Sequence, residues 1–204
     1  MLTRIYKEDS NSLKEYLQSR TPEINTDVLS SVTHIVQDVK KNRDSACLRY
    51  TKEFDDVELK SMVVSKKEWD RQILKCDEKF KDALQRAKKN IVDFHNFQKQ
   101  YGYLLQKDMG IYMGQRVLPL ESVGIYVPGG RAQYPSSVLM NAIPAKIAGV
   151  QKIYMVTPPN KDGTIHPNIA YAAKIAGVDA IYKIGGAQAI AAMAYGTETI
   201  KRVD

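Results

Sequence analysis

Apolar positions along this chain follow two periods, and the change from one to the other falls near residue 120. Before that point the spacing is helical. Val28, Leu29, Val32, Ile35, Val36 and Val39 recur every three to four residues after Thr26-Asp27, and Phe80, Ala83, Leu84, Ala87, Ile91 and Phe94 do the same after Asp77. Each stripe predicts an amphipathic helix with one face to bury. Ser65-Lys66-Lys67-Glu68 is a capping-box pattern, in which hydroxyl and carboxylate satisfy free amides of a first helical turn. A short strand is predicted just ahead of it at Met62-Val63-Val64, and residues 110–118 read as extended.

After residue 120 strands and helices alternate. Val123-Gly124-Ile125-Tyr126-Val127 predicts a strand, residues 136–148 a helix, Ile153-Tyr154-Met155-Val156 a strand, residues 168–176 a helix, Ala180-Ile181-Tyr182-Lys183-Ile184 a strand and residues 187–195 a helix. One unit is written twice. Ala145-Lys146-Ile147-Ala148-Gly149-Val150, followed by Ile153-Tyr154, recurs 28 residues later as Ala173-Lys174-Ile175-Ala176-Gly177-Val178, followed by Ile181-Tyr182. Each glycine stands where a helix needs a left-handed residue past its last turn. Crossovers between parallel strands are almost always right-handed, so the three units predict a parallel sheet covered by helices. Pro144 interrupts its helix pattern and is expected to kink it. The fold class is therefore α/β: a mostly helical region with short strands over residues 1–120, then parallel βα units over 121–204.

Composition sharpens this division. Residues 121–204 hold 9 of the 12 glycines, 6 of the 8 prolines and 14 alanines against 3 upstream, whereas charged residues fall from 40 to 13. The second part is the buried, glycine-punctuated one. The net charge of +7 is spread as 22 basic against 18 acidic residues before position 121 and 8 against 5 after it. With no basic stripe interleaved with aromatics, it reads as a solvated surface and not a nucleic-acid footprint. The longest apolar run, residues 189–195, falls far short of the ~20 residues a spanning helix needs, so no membrane span is expected. Charges at Arg4, Lys7, Glu8 and Asp9 break any secretory h-region, and a cytoplasmic location is the default. Cys47 and Cys76 lack CxxC spacing or a neighbouring His and read as buried reduced thiols.

In an open parallel sheet, ligands collect beyond the carboxyl ends of the strands, where loops meet helix N-termini. Those ends are Pro128-Gly129-Gly130-Arg131, Thr157-Pro158-Pro159 and Gly185-Gly186-Ala187-Gln188. Paired glycines allow close backbone approach to a ligand, or simply a tight turn. The usual dinucleotide fingerprint, an acidic residue placed for a ribose 2′-hydroxyl, and a phosphate-binding P-loop are all missing. Gln188, at a helix start, could bond a ligand or cap its own backbone. Tyr126, near the end of a strand, could stack on a planar ligand or pack on a helix. His34, His95 and His166 lie far apart without metal-ligand spacing, and Asp55-Asp56 reads as a solvated carboxylate pair.

Longer segments are more specific than these generic signals. Residues 119–130 (Pro-Leu-Glu-Ser-Val-Gly-Ile-Tyr-Val-Pro-Gly-Gly), residues 134–150 from Tyr134-Pro135-Ser136-Ser137 to Ala148-Gly149-Val150, and Gly185-Gly186-Ala187-Gln188 through Gly196-Thr197-Glu198 resemble the histidinol dehydrogenase family. Residues 49–55 and 114–120 share the resemblance, which covers the chain from about residue 40 onward. It implies an incomplete Rossmann-like NAD-binding sheet in a cytoplasmic, zinc-dependent homodimer. That enzyme oxidises L-histidinol through the aldehyde to L-histidine with NAD, closing histidine biosynthesis. It further implies that Tyr126 and Gln188 contact NAD, although the glycine fingerprint is absent. The family's zinc ligands, acid/base pair and substrate contacts match nothing in these 204 residues. No catalytic or metal-binding residue is therefore expected here. The chain is expected to be the N-terminal portion, inactive alone, with a non-catalytic NAD-binding or assembly module as the alternative.

Overall fold

A computed structural model describes residues 10–19, 26–129 and 132–204. The segments read above as lacking a secretory leader, and Gly130-Arg131 after the first strand of the sheet, lie outside the described residues. The elements run α1 (Ser10–Ser19), α2 (Thr26–Asp55), α3 (Lys66–Leu74), α4 (Glu78–Asn96), β1 (Tyr103–Gln106), β2 (Tyr112–Gln115), β3 (Ser122–Tyr126), α5 (Pro135–Ala148), β4 (Lys152–Thr157), α6 (Pro167–Ala176), β5 (Ala180–Lys183) and α7 (Gly186–Tyr195). The chain divides into two compact units, Met1–His34 and Ile35–Asp204. The first holds α1 and the opening turns of α2.

The second unit is built on a three-stranded parallel sheet of order β3-β4-β5, as the repeated βα unit predicts. Side chains alternate across it with the period of two that a strand imposes. Ile125, Ile153, Met155 and Ile181 point into one core, shared with Val138, Leu139 and Ile143 of α5, Ile169 and Ala173 of α6, and Leu84 of α4. Tyr154, Val156 and Tyr182 point the other way, against Ala46, Cys47 and Tyr50 of α2 and Ala189, Ala192 and Met193 of α7. Being covered on both faces, β4 is buried from Ile153 to Thr157 and reads as a continuous apolar run. Each Ile or Val fully enclosed this way contributes about 1.5–3 kcal/mol relative to exposure.

Both repeat glycines end their helices in the left-handed conformation, Gly149 at φ 100° and Gly177 at φ 81°. The amide two positions past each helix reaches back, Val150 to the Ala145 carbonyl and Val178 to that of Ala173, both at 3.0 Å. This pairing satisfies the last turn and aims the chain into the next strand. Helix α5 runs from Pro135 through Pro144 to Ala148 as one element.

The predicted strand at 62–64 is a single antiparallel bridge from Val63 to Tyr182, flanked by the Val64 amide on Ile181 and the Lys183 amide on Met62 at 2.9 and 2.7 Å. The capping box forms by half. Ser65 Oγ accepts from the Glu68 amide at 3.1 Å, but the Glu68 carboxylate turns away to take Lys183 Nζ at 3.0 Å in an ion pair largely shielded from solvent. A buried ammonium needs a counter-charge more than a solvated amide needs a second cap. The α2 stripe also divides: Ile35, Val36 and Val39 pack into the second core, whereas Val28, Leu29 and Val32 are exposed. Periodicity marks a face that can be buried, and burial additionally requires an element to cover it.

Candidate functional site

The loops beyond β3, β4 and β5 close on one another around Pro158. A Cβ on Gly185 would stand 2.5 Å from Pro158 Cγ, and one on Gly129 would stand 3.3 Å from Pro158 Cδ. The glycines thus serve first to let these three loops pack, before any ligand is considered. Gly186, at φ 65°, opens α7, and its amide donates to the Tyr126 hydroxyl at 3.2 Å. Tyr126, half-buried at the end of β3, therefore both packs against the second core and fixes the start of α7.

Gln188 lies in the first turn of α7 and is 1% exposed. Its Oε1 is buried without a hydrogen-bond partner, which removes the reading of that oxygen as a cap on its own backbone. The oxygen would sit 2.5 Å from a Cβ at Gly186, so the glycine makes room for it. An enclosed amide oxygen without a donor costs about 1–3 kcal/mol, a cost that a ligand donor would relieve. The amides of Ala187 and Gln188 are the donors that the first turn of a helix leaves without an intrahelical acceptor. Donors at a helix start and an undonated buried oxygen suit a ligand with both phosphate and amide character.

Beside these loops lies a recess of about 450 Å³, lined by Phe54, Asp55, Gly129, Pro158, Pro159, Asn160 and Lys161. It joins the end of α2 to the loop after β4. Asp55 is half-buried and Asp56 is exposed, so the adjacent carboxylates are not the uniformly solvated pair their spacing suggests. Burial pushes the Asp55 carboxyl above its usual range, with Lys161 acting in the opposite direction. Asp55 Oδ2 is shut off from solvent and receives no hydrogen bond. Spacing cannot reveal this residue, since its neighbours lie a hundred positions away. One signal was present: a carboxylate closing a helix opposes the macrodipole. A larger recess of about 610 Å³ lies between the ends of α4 and α5, near Gly149, away from the carboxyl ends of the strands.

The histidines stay apart. His95 Nδ1 contacts Gln98 Oε1 at 2.6 Å, His166 Nδ1 accepts from the Asn168 amide at the start of α6, and His34 lies on α2 in the other unit. Among the described residues no three His, Cys, Asp or Glu side chains are grouped to hold a metal ion, so zinc does not fit them. Among them, too, no helix is long and apolar enough to cross a membrane.

Comparison with known proteins adds a consistent set of likenesses. The family model for histidinol dehydrogenase matches residues 18–204. Histidinol dehydrogenase of Clostridium acetobutylicum is 50% identical over 206 residues, an alignment that takes in 100% of this chain and 48% of that protein. The enzyme of Bacillus thuringiensis subsp. konkukian is likewise 50% identical, over 98% of this chain and 44% of its own. The crystal structure of histidinol dehydrogenase from Elizabethkingia anophelis superposes with a TM-score of 0.84 at 39% identity, across 91% of this chain and 43% of that one. The chain thus spans about half the length of the curated relatives it matches.

Proposed function

Because the chain belongs to the histidinol dehydrogenase family, we propose that it supplies the NAD-holding wall of the enzyme that oxidises L-histidinol, by way of the aldehyde, to L-histidine. The observation that carries this reading is the buried, undonated Oε1 of Gln188 at the carboxyl end of a parallel sheet, beneath a helix start pinned by Tyr126. NAD, when bound, accepts hydride from the carbon bearing the substrate hydroxyl. The residues of this chain bind and orient: Gln188 offers its amide, Tyr126 fixes the start of α7 by accepting from the Gly186 amide, and Pro158 keeps the three loops together. Zinc, the proton-transfer groups and the substrate contacts are assigned to the part of the relatives that this chain does not span. A homodimer in the cytoplasm belongs to the same reading.

Calorimetric titration of the purified chain with NAD tests it. Saturable binding that weakens roughly 5- to 30-fold in Gln188→Ala is expected, since a buried hydrogen bond to a ligand is worth roughly 1–2 kcal/mol. No heat at millimolar NAD would overturn it. Added histidinol and zinc should produce no NADH; turnover by this chain alone would contradict the assignment of the reacting groups elsewhere. A second reading, an assembly module, draws on the β1–β2 hairpin. All eight of its strand residues are exposed, among them Tyr103, Leu104, Leu105, Tyr112 and Met113. An isolated two-stranded ribbon is marginal in water, so this surface calls for a partner. Elution from a sizing column that shifts with concentration would support it.

A further inference from the structure

Helix α2 is regular in sequence and broken in structure. Arg43 stands four residues after Val39 and four before Cys47, both without exposure, so an uninterrupted helix would turn its guanidinium into the second core. The backbone breaks there instead. Arg43 adopts φ 47° and ψ −124°, with a positive φ that glycine alone takes without cost, and its side chain stays exposed. A restarted helix leaves amides of its first turn without acceptors. The Asp44 amide finds one 154 positions away, on Glu198 Oε2 at 3.1 Å. Asp44 returns the bond: its carboxylate accepts from the Thr199 amide at 3.4 Å and from the Thr199 hydroxyl. Thr197 Oγ1 ties the same turn by accepting from the amides of Thr199 and Ile200 at 3.2 and 2.9 Å, and Ile200 has no exposure. Gly196-Thr197-Glu198, which close the last segment of the family resemblance, thus lead into the far half of a latch on α2.

The latch lies at the opposite end of α7 from Gln188. That helix has ten residues and is about 15 Å long. Gly185, at its head, packs on Pro158, and Phe54, at the end of α2, lines a recess with the same proline. The second half of α2 and α7 therefore both run between the latch and the strand-end loops, and they share the second core. Much of what they bring to it is alanine, Ala46 on α2 and Ala189 and Ala192 on α7. Side chains that short make shallow ridges, which set the axial placement of one helix on another only weakly. A contact at one end must then set it. Resting on the NAD-binding reading above, we propose that Asp44 and Glu198 are positioning residues for the coenzyme. Their reciprocal bonds fix α7 along its axis and hold the Gln188 amide at the height where the dinucleotide meets it. The break at Arg43 makes those bonds possible, since a continuous helix would commit the Asp44 amide to the Lys40 carbonyl.

Calorimetric titration of the chain with NAD reads two quantities, the dissociation constant and the number of sites per chain. A residue needed only for folding lowers the second, whereas a positioning residue raises the first. Glu198→Ala and Asp44→Ala should each weaken binding roughly 3- to 10-fold at unchanged stoichiometry, the range opened by the loss of an ordinary hydrogen bond. The double variant should bind no more weakly than the weaker single one, because both act through one latch. Glu198→Gln keeps an acceptor oxygen for the Asp44 amide and should bind like the wild type. In a Gln188→Ala background, Glu198→Ala should add nothing. Arg43→Gly, which eases the backbone and leaves the latch in place, should raise the melting temperature by roughly 2–4 °C without changing affinity. If the wild type binds no NAD, the cofactor reading fails and this assignment with it. If it binds NAD and Glu198→Ala matches it, or adds its full loss to that of Gln188→Ala, the assignment alone is overturned. A lower melting temperature in Arg43→Gly also overturns it, since there would then be no break to latch. Should Glu198→Ala fail to fold, Thr199→Val, which removes only the hydroxyl on Asp44, decides by the same two readings.

Discussion

Replacing Gly186 and Gly177 by alanine, one at a time, separates the conformational demand on a glycine from the steric demand that builds the site. Both residues sit at positive φ, 65° and 81°, so each alanine carries a left-handed cost of about 1–2 kcal/mol. Their surroundings differ. The new Cβ at Gly177 would meet Lys146 Cε at 3.3 Å, the far end of a flexible side chain that can move aside. At Gly186 it would stand 2.5 Å from Gln188 Oε1, with the amide nitrogen and carbon at 3.0 Å. Gln188 is 1% exposed and cannot retreat without disturbing α7, so an overpacking cost of about 1–3 kcal/mol is added. Gly177→Ala should therefore lower the melting temperature by roughly 2–8 °C, at about 2–4 °C per kcal/mol for a chain of this size. Gly186→Ala should lose roughly 2–5 kcal/mol. The same chemical change should leave NAD binding intact at position 177 and weaken it severely at 186. Urea denaturation paired with NAD calorimetry reads both quantities. Equal stability losses, or a Gly186→Ala protein that is destabilised yet binds NAD like the wild type, would refute the claim that the glycine exists to seat the Gln188 amide.

Ile181→Ala, at a side chain with no exposure between the α5–α6 layer and the sheet, should cost about 2–5 kcal/mol in urea denaturation, whereas Leu29→Ala, on the exposed half of the α2 stripe, should stay within about 0.5 kcal/mol. Burial raises the Asp179 carboxyl, but hydrogen bonds from the Ile153 amide and Lys146 outweigh it and hold the group below the usual carboxylate range; its contribution is complete above that range and lost as pH falls through the lower folded value, so Asp179→Asn should flatten the acid limb of the stability curve. Burial holds His166 below 6.5, and its Nδ1 must be unprotonated to cap α6; the unfolded chain binds that proton first, so stability is full above pH 6.5 and declines below it, a slope that His166→Asn should abolish while keeping the cap. Burial, then the charges of Asp44 and Glu198, push the Cys47 thiol up to about 12, so it should resist iodoacetamide at pH 8 until urea is added.

The architecture of residues 122–195 was legible because it repeats itself. A second copy of Ala-Lys-Ile-Ala-Gly-Val at a βα spacing announced parallel strands, and the left-handed Gly149 and Gly177 end their helices where that pattern requires. Alternation along β3 and β5 separated the two cores, whereas β4, buried on both faces from Ile153 to Thr157, showed only an apolar run. Less was legible upstream. The α2 stripe is as regular over Val28, Leu29 and Val32 as over Ile35, Val36 and Val39, yet only the second trio packs into the core of its unit. Similarly, Ser65-Lys66-Lys67-Glu68 carried the pattern of a reciprocal cap, and a lysine 115 positions downstream took the carboxylate instead. Local rules rank local partners, and they hold until a buried charge elsewhere in the fold makes the stronger claim.

The candidate site shows the same limit from the functional side. Tyr126 and Gln188 could be proposed from sequence because strand ends and helix starts are where a parallel sheet presents ligand contacts, and the family resemblance named those two residues. The folded chain then gives them distinct tasks, since Tyr126 spends its hydroxyl on the Gly186 amide while Gln188 keeps an oxygen undonated. Asp55 could not have been found this way. No acid follows the second strand in sequence, and the carboxylate that lines the recess beside these loops arrives from the end of a helix in the first third of the chain. Folding can bring a charge to a strand end from any segment of the chain. Absence of a fingerprint therefore excludes one chain path to the chemistry and leaves the chemistry itself to be sought among the side chains that folding brings together.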